Sequence, residues 1–174
     1  MKIFVETERL LLRELLPSDD EGMFELDSDK DVHKYIGQPV ETIEQSRGII
    51  DSVRKQYTDY GIGRWAMIEK STGDFMGWTG LKFITTIINN HVNYYDVGYR
   101  LIKRYWGKGF ATESAIAAVN YGFEKLLLNE IYATADMNNI ASRNVLTKVG
   151  LKYVETYNHE GYDIGWYGIT QMDW

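Results

Sequence analysis

Arg104-Tyr105-Trp106-Gly107-Lys108-Gly109-Phe110-Ala111-Thr112-Glu113 carries the residue types and spacing of an anion site: two glycines one residue apart, two cations, and a helix-like pattern directly behind them. A helix begins with N–H groups that lack intrahelical partners, and its dipole places partial positive charge at that end. Phosphate groups settle there. Glycine at 107 and 109 opens turn conformations closed to residues with a Cβ, so that successive amides can converge on one phosphate. Arg104 and Lys108 add full charges. A glycine pair before a helix is equally compatible with a plain tight turn, so the flanking elements have to decide.

Upstream, Tyr95, Val97, Tyr99 and Leu101 share one face by period-two alternation, which predicts a strand over 93–102. Gly98 interrupts it, and a glycine inside a strand predicts a bulge whose backbone groups leave the ladder. Downstream, Ala115, Ile116, Val119 and Phe123 recur at helical spacing over 109–125, with Thr112, Asn120 and Glu124 around the polar side. The glycines thus join a strand to a helix. The P-loop pattern is absent, since it needs four residues between its glycines and then Lys-Ser or Lys-Thr. The dinucleotide fingerprint fails too, because position 112, where its third glycine belongs, is threonine.

The remaining elements follow from the same patterns. A strand is expected over 8–14, then a helix over 18–27 opened by Ser18-Asp19-Asp20, with the serine as cap. A short helix is expected over 31–35. Thr42 to Tyr60 carries Ile43, Ile49, Ile50, Val53 and Tyr57 among charged residues, an amphipathic helix closed by Gly61. Strands over 64–69 and 75–85 precede the loop. After it come a strand over 130–135, a helix over 140–149 between Asn139 and Gly150, and a hairpin of 151–158 with 162–171. This order implies an α+β fold, an α/β sandwich whose mixed, mostly antiparallel sheet carries helices on both faces.

Composition is that of one globular domain spanning 1–174: 44% hydrophobic residues, 25% charged, and two prolines. No run approaches the ~18 apolar residues of a membrane span, and the first residues lack the hydrophobic core of a signal peptide, so the expected location is cytoplasmic. With no cysteine and only His33, His91 and His159, disulfides, thiolate metal sites and a cysteine acyl-enzyme are excluded and no metal centre is expected. The net charge of −6 disfavours nucleic acid and suits a cationic substrate better.

The glycine loop resembles the acyl-CoA pyrophosphate loop, Arg/Gln-x-x-Gly-x-Gly/Ala, of the GNAT superfamily of N-acetyltransferases. The resemblance runs on through most of the chain. Thr7 to Arg13 is similar to that family's first strand, Gly73-Asp74-Phe75-Met76-Gly77 to its third, and Asn139 to Gly150 to its later CoA-contacting helix. Trp166-Tyr167-Gly168-Ile169-Thr170 is similar to the last strand of the branch that acetylates protein N-terminal residues, the ribosomal-protein alanine acetyltransferases of RimJ/RimL type.

That resemblance implies acetyl-CoA as acyl donor and no metal. It implies that the pantetheine arm lies along the fourth strand at Tyr99, Arg100 and Leu101, where it splays from the fifth. The pyrophosphate would rest on Arg104 and on the amides of Trp106, Gly107, Lys108, Gly109, Phe110, Ala111 and Thr112. Asn139, Ser142, Arg143 and Lys148 would reach the cofactor from the later helix. The reaction implied is direct attack of a neutral amine on the thioester, through an oxyanion stabilised by a bulge amide near Gly98 to Arg100. Asp96 occupies the position where many members carry a glutamate base. Where many members carry a tyrosine acid this chain has Leu146, and the resemblance leaves Ser142 as proton donor. Three readings stay open: an acetyltransferase for the α-amine of a protein or peptide; one for a small cationic amine, drawn to an acidic lip of Asp19, Asp20, Glu21, Glu25 and Asp27; and a non-catalytic acyl-CoA-binding module. Acyl length stays open, as does pairing of two copies through an exposed strand.

Overall fold

A computed structural model describes residues 1–174. Its single eight-stranded sheet runs in the order β1 (Ile3–Glu6), β2 (Leu10–Glu14), β3 (Trp65–Glu69), β4 (Phe75–Ile84), β5 (Tyr94–Leu101), β6 (Glu130–Asp136), β8 (Tyr162–Thr170), β7 (Lys152–His159). Neighbours are antiparallel except β5 and β6, which are parallel. One sheet face is covered by α1 (Asp20–Ser28) and α2 (Ile43–Tyr60), the other by α3 (Phe110–Glu124) and α4 (Ile140–Val149). The mixed sheet with helices on both faces is the architecture expected from the element order. No helix is long and apolar enough to cross a membrane.

Local chemistry accounts for the helix boundaries. Thr42 and Gln45 form a capping box at the start of α2, and Gly61 closes it in the left-handed conformation. Asn139 caps α4 by accepting from the Ser142 amide, and Gly150 ends it at φ 105°. Inward residues of α3 (Ala115, Ala118, Val119, Phe123) and of β6 (Ile131, Ala133) are almost wholly buried, as their spacing predicts.

The structure differs from expectation in four places. A strand precedes the first expected one: Ile3–Glu6 hydrogen-bonds to β2, with Phe4 stacked on Trp65 at 4.8 Å. The strand read as fourth is therefore β5. Residues 31–35 form turns rather than a helix, there being no run of apolar residues to bury. Ser18 does not cap α1; it sits in a 3₁₀ turn over Pro17–Asp19, and the buried Asp19 carboxylate accepts from the Leu16 amide at 2.7 Å instead. Gly98 makes no bulge, since β4 and β5 stay in register from Gly77↔Leu101 to Ile84↔Tyr94.

Candidate active site

The parallel pair opens at its centre. β5 and β6 share a single aligned pair, Asp96↔Tyr132, and then diverge, leaving that edge of β5 without a partner strand. A cavity of about 650 Å³ occupies the opening, bounded by β5, the start of α4, the turns after α1 and the β7–β8 hairpin. Because strand residues alternate, β5 sends Asp96, Gly98 and Arg100 to the face of α1 and α2, and Tyr99 to the face of α3 and α4. One strand thus feeds both halves of the site.

At the loop, Gly107 and Gly109 adopt φ of 73° and 82°, and nothing lies within 4 Å of where a Cβ on Gly107 would be. Gly109 is the N-cap of α3 and supplies no side chain, so the first amides of that helix are left for another acceptor. Gly107, Lys108 and Gly109 are exposed, while Phe110 is buried and offers only its backbone. These features fit a pyrophosphate. Arg104 pairs with the Glu25 carboxylate, and the Trp106 indole N–H donates to the Leu101 carbonyl at 2.8 Å. The loop is held from behind by Arg9, which donates to the Lys108 carbonyl at 2.9 Å and to Glu113 at 2.6 Å.

Of the four positions expected from α4, Asn139 and Ser142 line the central cavity, and the capping role of Asn139 coexists with that placement. Lys148 is exposed in a second, open groove of about 830 Å³ that it shares with Gly109 and Thr112. Arg143 points elsewhere, donating to the Tyr167 hydroxyl at 3.0 Å and the Met137 carbonyl at 3.1 Å. It braces α4 against β8.

Asp96 lies on the cavity wall. Burial pushes its carboxyl above the usual carboxylate range, against the pull of Arg64 and, more weakly, Lys82. Arg64 pairs with Oδ2 and donates to the Asp96 carbonyl at 2.7 Å, while Oδ1 has no protein partner. This is the reason for Gly98: a Cβ there would meet Arg64 Nη2 at 2.7 Å. Arg64 was not legible as a site residue, since it precedes β3 with no motif around it. Tyr99 was expected to contribute only backbone. Its hydroxyl instead donates to the Ser142 carbonyl at 2.9 Å and stands 3.2 Å from Ser142 Oγ. Burial raises this phenol, partly offset by Ser142, and keeps it protonated. Leu146 is buried beside it.

The acidic lip does not form. Asp19 is buried against Arg13, Asp27 against Arg100, while Asp20 pairs with Arg47 and Glu25 with Arg104. Of the five acids, only Glu21 lacks a cation within ion-pair distance.

Comparison with known proteins bears on this geometry. Residues 9–152 match the family described as the acetyltransferase (GNAT) domain. The chain is 30% identical to the uncharacterized N-acetyltransferase YoaA of Bacillus subtilis over 96% of each sequence. It is also 30% identical to the FsC-acetyl coenzyme A-N(2)-transacetylase of Aspergillus fumigatus, over 98% of this chain and 77% of that one. Among solved structures, a GNAT-family acetyltransferase from Bacillus anthracis superposes with a TM-score of 0.81 at 28% identity, covering 99% of both chains. RimL, a ribosomal L7/L12 α-N-protein acetyltransferase in complex with coenzyme A, shares the fold at a TM-score of 0.81 and 16% identity, over 97% of this chain and 98% of that one.

Proposed function

We propose, from the premise that this chain belongs to the GNAT family of acetyl-CoA-dependent N-acetyltransferases, that its acceptor is the α-amine of a protein or peptide. The observation that carries this reading is Asp96, a carboxylate of raised pKa with one free oxygen on the wall of the cavity where β5 and β6 part. A weak base suffices for an α-amine, whose pKa is about 7.7–8.0, whereas a lysine near 10.4 costs roughly 3.5 kcal/mol more to deprotonate at neutral pH. The loss of the acidic lip to ion pairs argues against a polycationic acceptor. Fold neighbours of RimL type act by their names on protein α-amines, and the Aspergillus relative is named as an N(2)-transacetylase.

In this reading the pyrophosphate lies on the amides of Trp106 to Thr112 with Lys108 beside it, and the pantetheine follows the free edge of β5 past Tyr99 to Leu101. That edge, rather than a bulge, supplies the donor for the thioester oxygen. The amine nitrogen attacks the thioester carbon; the C–N bond forms and the C–S bond breaks. Asp96 Oδ1 takes the proton the nitrogen loses, and Arg64 holds the carboxylate in place. The departing thiolate takes a proton from the Tyr99–Ser142 pair, with Tyr99 filling the role that Leu146 cannot.

Free-thiol release from acetyl-CoA tests the reading, run against peptides with N-terminal alanine, serine or methionine, a lysine peptide, spermidine and an aminoglycoside. Turnover concentrated on the N-terminal peptides is expected. Turnover confined to spermidine or the aminoglycoside would move the acceptor to small cationic amines. Acetyl-CoA binding with no turnover on any acceptor would argue for a binding module.

A further inference from the structure

Where the turns after α1 border the cavity, the wall carries hydrogen-bonding capacity that the protein does not use. Asp27 is fully buried, and its Oδ1 accepts from Arg100 Nη1 at 2.7 Å and faces His33 Nε2 at 3.3 Å. His33 is 8% exposed and lines the cavity, yet its Nδ1 has no partner. In the neutral imidazole, the Nε2 that faces the carboxylate carries the proton and Nδ1 is left as an acceptor. Arg100 stacks 4.9 Å from the centre of the Trp78 ring. A guanidinium has five N–H donors, and Asp27 takes only one of them. Buried polar groups are normally satisfied, so an orphaned ring nitrogen, itself closed to solvent, in a side chain that lines the cavity points to something that binds there.

We infer that Arg100 and His33, both anchored on one oxygen of Asp27, recognise the main chain of the acceptor. Arg100 donates to a peptide carbonyl and His33 Nδ1 accepts from a peptide N–H, so the site selects a peptidyl α-amine over an amine with no peptide bond. A donor and an acceptor held on one carboxylate match the alternating donors and acceptors of an extended peptide, and they match nothing in an alkylamine. This rests on the α-amine reading and adds to it the class of molecule that bears the amine.

The test compares kcat/KM for an alanine-initiated tripeptide with that for 2-aminopropane, each divided by its fraction of neutral amine, in the wild type and two variants. His33→Phe removes the acceptor and leaves the Asp27–Arg100 pair intact. Asp27→Asn with Arg100→Gln removes both charges together, because removing Arg100 alone would strand a buried carboxylate. Thermal melts and acetyl-CoA titrations establish that each variant is folded. The wild type is expected to prefer the tripeptide, and each variant to lower that preference by about 10- to 100-fold, as for a lost hydrogen bond in a desolvated site. Equal losses on both substrates, or no preference in the wild type, overturn the inference while leaving α-amine acetylation standing. Failure of the wild type to acetylate the tripeptide at all overturns both.

Discussion

The residues proposed to hold the phosphates lie between Leu101 and Thr112 and follow one another in the chain. Those lining the cavity proposed for the acceptor are gathered from everywhere: His33 from the turns after α1, Arg64 from just before β3, Trp78 from β4, Asp96 and Arg100 from β5, Tyr157 from β7. The first region works through backbone amides and two left-handed glycines, so it needs a short sequence and little else. The second works through side chains aimed by the sheet. A ligand common to many enzymes can be held by peptide groups; a particular acceptor calls for side chains, and these meet only once the sheet has formed.

The sharpest way to separate the two regions is Gly107→Glu. A side chain at 107 meets open space, but it must accept φ 73° and it sets a negative charge where the pyrophosphate is proposed to lie. The left-handed backbone costs about 1–2 kcal/mol. Acetyl-CoA affinity, measured by calorimetric titration, is expected to fall by about 100-fold or more, like charge replacing a site built for anions, while the protein still melts cooperatively. Retained affinity would mean that the pyrophosphate lies elsewhere.

Asp96→Asn addresses the second region alone. Turnover of an N-terminal peptide is expected to fall by about 10²- to 10³-fold, the range for a lost general base, with acetyl-CoA affinity unchanged. The pH profile supplies the stronger check. In the wild type the rate is expected to rise with pH through two ionisations, Asp96, raised above the usual carboxylate range by burial, and then the amine. Only the second should remain in the variant. Two inflections surviving in Asp96→Asn would assign the lower one to another group.

The same contrast explains what was legible in the sequence. The caps at Asn139 and Gly150, the glycine loop, and the order of strands and helices apart from β1 and the turns over 31–35 all depend on short-range patterns, and the structure reproduces them. Asp96 was legible from its place on a strand with a resemblance behind it. Arg64 was not, because its meaning comes from Gly98, which lies far along the chain and leaves the space it fills. The same gap produced the expected bulge: a glycine in a strand signals a close approach, but not whether the visitor is a ligand or a guanidinium. The acidic lip failed for a related reason. Five acids near one helix read as a patch until the cations that pair with four of them, Arg13, Arg47, Arg100 and Arg104, fold in beside them.

Tyr99 bears on both regions, since its backbone lies on the strand edge proposed for the cofactor and its hydroxyl reaches Ser142. Tyr99→Phe removes only the hydroxyl. A loss of about 10-fold or more in kcat is expected, at the lower end for a general acid because Ser142 remains, with KM for acetyl-CoA little changed. A rise in KM at constant kcat would instead assign the hydroxyl to cofactor binding.

The smallest effect expected concerns how the loop is braced. Glu113, in the first turn of α3, accepts from Thr7 Oγ1 at 2.5 Å, the Arg9 amide at 3.1 Å and the Arg9 guanidinium at 2.6 Å. Burial alone would raise its pKa, but these donors outweigh it and hold the carboxyl below its ordinary value. A depressed carboxylate adds stability that is complete above the unfolded-state pKa, about 4.3, and vanishes as pH falls through the lower folded value. Glu113→Gln keeps the shape and removes the charge. At pH 7 it should cost about 1 kcal/mol, reduced from the usual value of a charged hydrogen bond because Arg9 is partly exposed. That corresponds to a melting temperature lower by about 2–4 °C. As pH falls through that lower folded value the two melting curves should converge. Because the brace grips the loop from behind, through Arg9 and the Lys108 carbonyl, acetyl-CoA affinity should fall only slightly. A large fall would mean that the loop depends on the β1–β2 turn to keep its amides converged, and the cofactor region would then be less local than its sequence suggests.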